Sequence, residues 1–208
     1  MNEHQKRTEI YSKLLTEGFW EDPGVCAQMG EIPNGKELFA EQCRFEVEIF
    51  ERNGLLRGYG NGDGMLIGFS TENLEERPFV KDLQDSSKQL LPDVDPDVMQ
   101  AIEKNGRKVL AISDPEWQKK FVGDAAVYVI QLIVVRNEVR GTGIFRKLLE
   151  PVLEECSRRN LPVVLQTHNP KNIKKYEHFG FKLMEKVSSD EIDLTCCNLL
   201  KMPDGAEL

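Results

Sequence analysis

The chain is poor in residues that bind metals or form cross-links. Of its 208 residues only three are histidine (His4, His168 and His178) and five are cysteine (Cys26, Cys43, Cys156, Cys196 and Cys197). The histidines fall at no metal-binding spacing. An odd number of cysteines without a CxxC pair suits neither a zinc site nor a disulfide framework. No metal is expected, and the cysteines read as reduced structural thiols. Long apolar runs are also missing. The longest, Val127 to Val135, is interrupted by Gln131 and is too short to cross a bilayer as a helix. The polar start, Met1 to Arg7, leads into no apolar stretch of the signal-peptide kind. The expectation is a cytoplasmic protein with no membrane partner. Positive charge is in deficit, with 27 Lys and Arg against 35 Asp and Glu, a net of −8. That argues against a nucleic-acid partner, which calls for a basic face. There is no internal repeat and no low-complexity tail.

What is present suits a soluble globular fold: 40% hydrophobic and 30% charged residues, in a chain long enough for one domain with a sizeable core. The charge is unevenly spread. Residues 1–104 hold 21 Asp and Glu against 11 Lys and Arg, and the second half is slightly basic. Basic residues cluster at Arg136, Arg140, Arg146 and Lys147, and again at Lys171, Lys174 and Lys175. Such clusters are either solvated faces or a site for a polyphosphate ligand.

Periodicity predicts a helix over 3–17 and a second over Lys36–Arg52, with Asp22-Pro23-Gly24 breaking the pattern between them. Leu55–Tyr59 and Met65–Ser70 read as a hairpin around Asn61-Gly62-Asp63-Gly64. An acidic stretch follows, with short helices at about Phe79–Leu91 and Asp95–Asn105. Val109–Ile112 reads as a short strand and Pro115–Phe121 as a short helix. Ala125–Val135 is almost continuously apolar and β-branched, the mark of a central strand covered on both faces. The turn Arg136–Gly143 carries two glycines. It opens a helix with Phe145, Leu148, Leu149, Val152 and Cys156 at helical spacing, kinked but not broken at Pro151. Val163–Thr167 is a second buried strand. Asn169, as N-cap to Pro170, begins a helix that stops at Gly180. Phe181–Val187 and Ile192–Met202 form a last hairpin around Ser188-Ser189-Asp190. The fold class is α/β (mixed α+β): a central mixed sheet with helices on both faces.

The chemistry lies in the strand, turn and helix of 127–150. A helix N-terminus offers unpaired N–H groups and the positive end of its dipole, and glycines let phosphate oxygens reach the backbone. Arg140-Gly141-Thr142-Gly143-Ile144-Phe145 has that form. A Rossmann turn would need a glycine at 146, where Arg146 stands, and a Walker loop would need Gly-Lys-Ser/Thr. By itself the segment is as well read as a plain structural turn.

The segment resembles the coenzyme A pyrophosphate turn of the GNAT (GCN5-related N-acetyltransferase) superfamily, Gln/Arg-x-x-Gly-x-Gly/Ala. Arg140, Gly141, Thr142 and Gly143 match, and Phe145 replaces the usual last Gly or Ala. Downstream, Asn169 to Phe181 is similar to the family's Asn…Tyr-Glu-x-x-Gly-Phe motif, through Tyr176, Glu177, Gly180 and Phe181. The strong resemblance covers about 125–187. It implies a GNAT-type acyl-coenzyme A N-acyltransferase fold in a single domain over 1–208: N-terminal helices, hairpin and acidic insertion (1–124), acetyl-coenzyme A core (125–187) and C-terminal strand (188–208). The family's usual first strand is not evident before the first helix. The resemblance implies acetyl-coenzyme A as cosubstrate and an amine of a small molecule as acceptor. The backbone of Ile133, Val134 and Val135 would meet the pantetheine arm, and the turn from Arg140 through Ile144 and Phe145 the pyrophosphate. Asn169 and Asn172 would meet the coenzyme arm, and Tyr176 would be the general acid. Phe19, Trp20 and Asp22 fall where the family shapes its acceptor pocket. The central strand offers only Gln131 where the family often has a carboxylate, so the base is left to a water chain, His168 or a carboxylate of the N-terminal half. A non-catalytic acyl-coenzyme A binding module, protein or peptide N-acetylation, and a homodimer all stay open.

Overall fold

The computed structural model describes residues 2–89 and 94–206, and the side chains of all of these except 84–89. Helix α1, Glu3–Phe19, starts from a reciprocal cap. The Asn2 side chain accepts the Gln5 N–H at 2.8 Å, and the Gln5 side chain accepts the Asn2 N–H at 2.9 Å. Its stripe Tyr11, Leu14 and Leu15 is buried. A helix that the sequence reading lacked, α2 (Pro23–Met29), follows at once. The Asp22-Pro23-Gly24 break is itself a helix start, with Asp22 capping the Gly24 N–H at 3.0 Å and Pro23 at the first helical position. Helix α3 spans Gly35–Arg52, and strands β1 (Leu56–Tyr59) and β2 (Gly64–Ser70) form the expected hairpin.

Helices α4 (Pro78–Gln89) and α5 (Pro96–Leu110) follow; the last two residues of the expected helix 79–91 lie outside the described residues. The strand expected at Val109–Ile112 is instead the end of α5 and the turn after it. Val109 and Ile112, one helical turn apart, pack together against Leu194 and Cys196, so their spacing is helical. Of the helix expected at 115–121, only α6 (Lys119–Val122) is α-helical, after turns at 115–118. Strand β3 (Tyr128–Val135), helix α7 (Ile144–Arg158) and strand β4 (Val163–Thr167) lie where the sequence placed them. Helix α8 is Ile173–Glu177, entered through a 3-10 turn at Pro170–Asn172, and strands β5 (Lys182–Ser188) and β6 (Thr195–Lys201) close the chain.

The six strands form one mixed sheet in the order β1-β2-β3-β4-β6-β5, in which only β3 and β4 are parallel neighbours. Side-chain alternation assigns the two faces. Leu66, Ile133, Val135 and Leu165 point to α7 and α8, in a core with Leu148, Leu149, Val152 and Ile173. Met65 and Val134, one position away, point to the other face and pack on Tyr11, Leu14, Phe39 and Val47 of α1 and α3. Four of the five cysteines are buried in these layers, and burial pushes the Cys43 thiol up to about 12.

One irregularity positions everything below. Strands β3 and β4 pair only at Tyr128 with Val163 and Val129 with Val164, then separate. β3 stays paired to β2 as far as Val135, and β4 stays paired to β6 as far as Thr167. On β3, Gln131 is an extra residue between the partners of Ile67 and Gly68. Such a bulge bends its strand and sharpens its twist. The bend falls where β3 leaves β4.

Helix α7 runs unbroken through Pro151, an exposed residue with no N–H for the Lys147 carbonyl. Pro151→Ala restores that bond. Proline costs about 3 kcal/mol in a helix interior, and its stiffening of the unfolded chain offsets up to about 1 kcal/mol of that. The variant is expected to be more stable by about 2 kcal/mol and to melt about 4–8 °C higher, as read by calorimetry.

Candidate functional site

The strands part around a cleft of about 740 Å³. Its floor is the β3 edge, Ile133, Val134 and Val135. With no strand beside them, the backbone groups on this edge have no ladder partner from β4.

One wall is the turn between β3 and α7. Gly141 and Gly143 have φ of +83° and +85°, a left-handed region that side chains resist. A Cβ added at either would meet nothing within 4 Å, so the space over the turn is open. Arg140 is tied back by its Nε, which donates to the Val135 carbonyl at 3.2 Å. Thr142 donates from Oγ1 to the Val139 carbonyl at 2.7 Å; it braces the turn and does not line the cleft. Gly143 is the N-cap of α7 and supplies no side-chain acceptor, so the first N–H groups of the helix, at Ile144 and Phe145, stay open at the cleft.

Asn169, Lys171, Asn172, Lys175 and Tyr176 come from the segment after β4. Asn169 Oδ1 caps the Lys171 N–H at 3.1 Å. Asn172 bridges, donating to Thr167 Oγ1 at 3.3 Å and accepting from Lys175 Nζ at 3.2 Å. Phe145, unusual at its place in the turn, lies with its ring centroid 5.8 Å from Tyr176 and 5.6 Å from Phe179, and Lys175 Nζ sits 5.1 Å above it. The aromatic side chain thus fills the angle between α7 and α8 and carries a cation over its face. Among the described residues, no carboxylate pairs with Arg140, Lys171 or Lys175. Burial, and then Arg140 nearby, hold Lys175 below the usual lysine value.

Another part of the lining is acidic. It comes from the end of α1 and the corner before α2, with Glu17, Gly18, Phe19, Glu21 and Asp22. Trp20, expected beside them, turns away and packs on Phe39 at 6.1 Å between centroids. Tyr176 is only 8% exposed, its ring edge-on to Phe181. Burial first, and the Asp22 charge second, push its phenol well above the ordinary tyrosine value. It therefore carries its proton throughout the neutral range.

His168 stands just outside the cleft lining, at the end of β4. Ser113 Oγ lies 2.9 Å from His168 Nε2 and 2.9 Å from the Val109 carbonyl. The carbonyl can only accept, so the hydroxyl donates to it, and His168 Nε2–H donates to Ser113. Nδ1 then holds the lone pair, against Gly24, where an added Cβ would lie 2.5 Å from it. Burial lowers the His168 pKa, and Asp22 partly restores it. Local motifs could not bring Asp22 to His168 and Tyr176, because Asp22 is far from both in sequence and nears them only through tertiary packing. The cation pair of Arg140 and Lys175 was visible only as two separate basic clusters.

A family model described as the acetyltransferase (GNAT) domain matches residues 81–194. An uncharacterised N-acetyltransferase of Schizosaccharomyces pombe is 31% identical over 74 residues, 36% of this chain; the chain spans only 26% of that protein's length. Two solved structures share the fold at 14% identity. The arylalkylamine N-acetyltransferase 2 of Aedes aegypti superposes with a TM-score of 0.57 over 96% of both chains. The histone acetyltransferase HPA2 and related acetyltransferase of Corynebacterium glutamicum gives 0.59 over 98% of this chain and 95% of that one. The family match takes in the splayed strands, the glycine turn and the Asn169–Gly180 segment together, and the chain belongs to the GNAT acetyltransferase family.

Proposed function

We propose that this chain transfers the acetyl group of acetyl-coenzyme A to the amine of a small, cationic molecule. The observation that carries the reading is one cleft, opened where β3 leaves β4, whose lining holds both basic and acidic side chains. Arg140, Lys171 and Lys175, without a carboxylate partner among the described residues, and the open N–H groups at the start of α7 suit a pyrophosphate. The free edge at Ile133, Val134 and Val135 suits the amide groups of a pantetheine arm, laid in as a further strand would be. The acidic side chains suit an ammonium group. In this scheme residues 1–124 build the acceptor side, 125–187 hold the coenzyme, and 188–208 supply the strand that fixes β4.

The residues divide the chemistry as follows. The turn and Lys175 bind and orient the coenzyme, while Asn169 and Asn172 hold the start of α8 against it. The β3 edge beyond the bulge offers backbone donors to the oxygen that gains charge when an amine attacks the thioester carbonyl. Tyr176 donates its phenolic proton to the departing sulfur. A thiol has a pKa of about 8.5 against a phenol's about 10, and burial widens that gap, so the proton is shared or quickly replaced from water.

Turnover measured as release of free thiol from acetyl-coenzyme A, over a panel of amines and amine-bearing peptides, tests the reading directly. Faster turnover of peptides than of every small amine would move the acceptor to polypeptides. Calorimetric titration is expected to show acetyl-coenzyme A binding, and ligand at 100 times Kd should raise stability by about 2.7 kcal/mol. No heat of binding at millimolar ligand would overturn the proposal. Lys175→Ala removes one charge-assisted contact of about 1.5–3 kcal/mol, so Kd for the coenzyme should rise at least about 10-fold in low salt and by less in high salt. Tyr176→Phe should lower kcat by about 10²–10⁴-fold and leave coenzyme affinity within a few-fold. Full turnover by this variant, at a rate limited by chemistry, would return Tyr176 to a packing role.

A further inference from the structure

Four basic side chains line the cleft among the described residues, and Arg146 differs from Arg140, Lys171 and Lys175 in being tied to a carboxylate and an imidazole. We propose that His178 is a proton-operated latch on Arg146. Neutral, it holds the guanidinium aside; protonated, it releases the guanidinium to the anion in the cleft, so the chain binds its coenzyme more tightly as the pH falls. This rests on the coenzyme part of the reading above and adds a control on it.

Arg146 is the third residue of α7, next to the open N–H groups of Ile144 and Phe145. A cation in the first turn opposes the helix dipole, which favours an anion at that end. Three contacts hold it there. Glu150 Oε1, one turn further along α7, pairs with Nη1. Nη2 lies 3.0 Å from His178 Nε2. The guanidinium stands 5.2 Å over the Phe179 ring, and the His178 ring meets that same ring edge-on at 5.3 Å. A guanidinium carries donors only, so Nε2 accepts. The imidazole is therefore neutral, with its proton on Nδ1. The ion pair is a weak part of this hold. Both its side chains are well exposed, and arginine four residues ahead of glutamate is the less favourable order on a helix.

Histidine is the side chain whose charge ordinarily changes between about pH 5 and 8. A proton on Nε2 removes the lone pair that Nη2 uses and sets two positive charges against each other. The charged groups about His178 are Arg146 and Glu150 of α7, Lys174 and Glu177 of its own segment, Lys182 at the start of β5, and Lys201 of β6. Lys201 reaches in from behind: its Nζ would lie 3.5 Å from a Cβ on Gly180. Cations outnumber carboxylates in that set, so a new charge on the imidazole is relieved by moving one of them away. Arg146 is the one that lines the cleft. Its planar fork then meets a phosphate beside the turn, an anion that the helix start already favours.

The probe is 3′-dephospho-coenzyme A, because the 3′-phosphate of coenzyme A itself titrates near about pH 6 and a pyrophosphate diester keeps its charge there. Its Kd is measured by calorimetric titration at about pH 7.5 and about pH 5.5, on either side of the histidine range. The native chain should bind about 5-fold more tightly at the lower pH, the gain of one exposed charge-assisted contact. Acid also adds protons to other groups that line the cleft, so two variants decide. His178→Gln offers Arg146 an uncharged acceptor at both pH values. It should match the native chain at the higher pH and gain less than about 2-fold at the lower one, since the contact is never released. Arg146→Gln should lose the response as well. An equal gain in the native chain and in His178→Gln would overturn the latch, and so would a native affinity that does not rise. A response lost in His178→Gln but kept in Arg146→Gln would overturn it too, since the charge would then act without Arg146. No binding of the probe or of coenzyme A by the native chain at either pH would overturn the coenzyme reading itself.

Discussion

Everything the cleft offers depends on two parallel strands that stop pairing after two residues. β3 is held on its far edge by β2 and β4 on its far edge by β6, so neither can close the gap without giving up a ladder along its whole length. The extra residue Gln131 bends β3 at the point of departure. In most sheets the open backbone edge this leaves would be a liability, prone to pairing with another chain. Here it lies in a cleft between the α7–α8 side and the end of α1, which limits what can reach it. The same opening sets the start of α7 and the segment entering α8 on either side of the gap, because each follows directly from the end of one of the diverging strands.

Electrostatics then gives the gap its character. Arg140, Lys171 and Lys175, which no carboxylate pairs among the described residues, line the same cleft as Glu17, Glu21 and Asp22. Burial, and then the like charge of Arg140, disfavour the charged form of Lys175. Natural sequences keep such strain mainly where a ligand relieves it. Tyr176 in the cleft and His168 just outside its lining are both held neutral near pH 7 by burial, so the charges in the cleft at that pH are those of its basic and acidic residues. Phe145 links the two systems. It widens the glycine turn's neighbourhood into an aromatic contact that fixes Tyr176 and supports the Lys175 ammonium.

The central strand, α7, β4, the glycine turn and the Asn169–Gly180 segment were legible in the sequence because their signals are local. β-branched runs, 3.6-residue spacing, positive-φ glycines and a capping asparagine each act within a few residues. The misreadings share one cause. Asp22-Pro23-Gly24 ends one helix and begins the next, and a rule about breaks sees only the ending. Val109–Ile112 is apolar and short enough for a strand, and only its packing against Leu194 and Cys196 shows that the spacing is helical.

The sequence by itself determined the elements from β3 to α8 and the glycine turn between β3 and α7, since each rests on contacts between near neighbours along the chain. Tertiary structure alone decided which groups share the cleft. Asp22, Lys175 and Tyr176 converge because the β3–β4 separation brings the α1–α2 corner opposite α8. It also decided their protonation. Burial and neighbouring charge, which shift Tyr176 upward and Lys175 and His168 downward, come from distances that no stretch of sequence encodes.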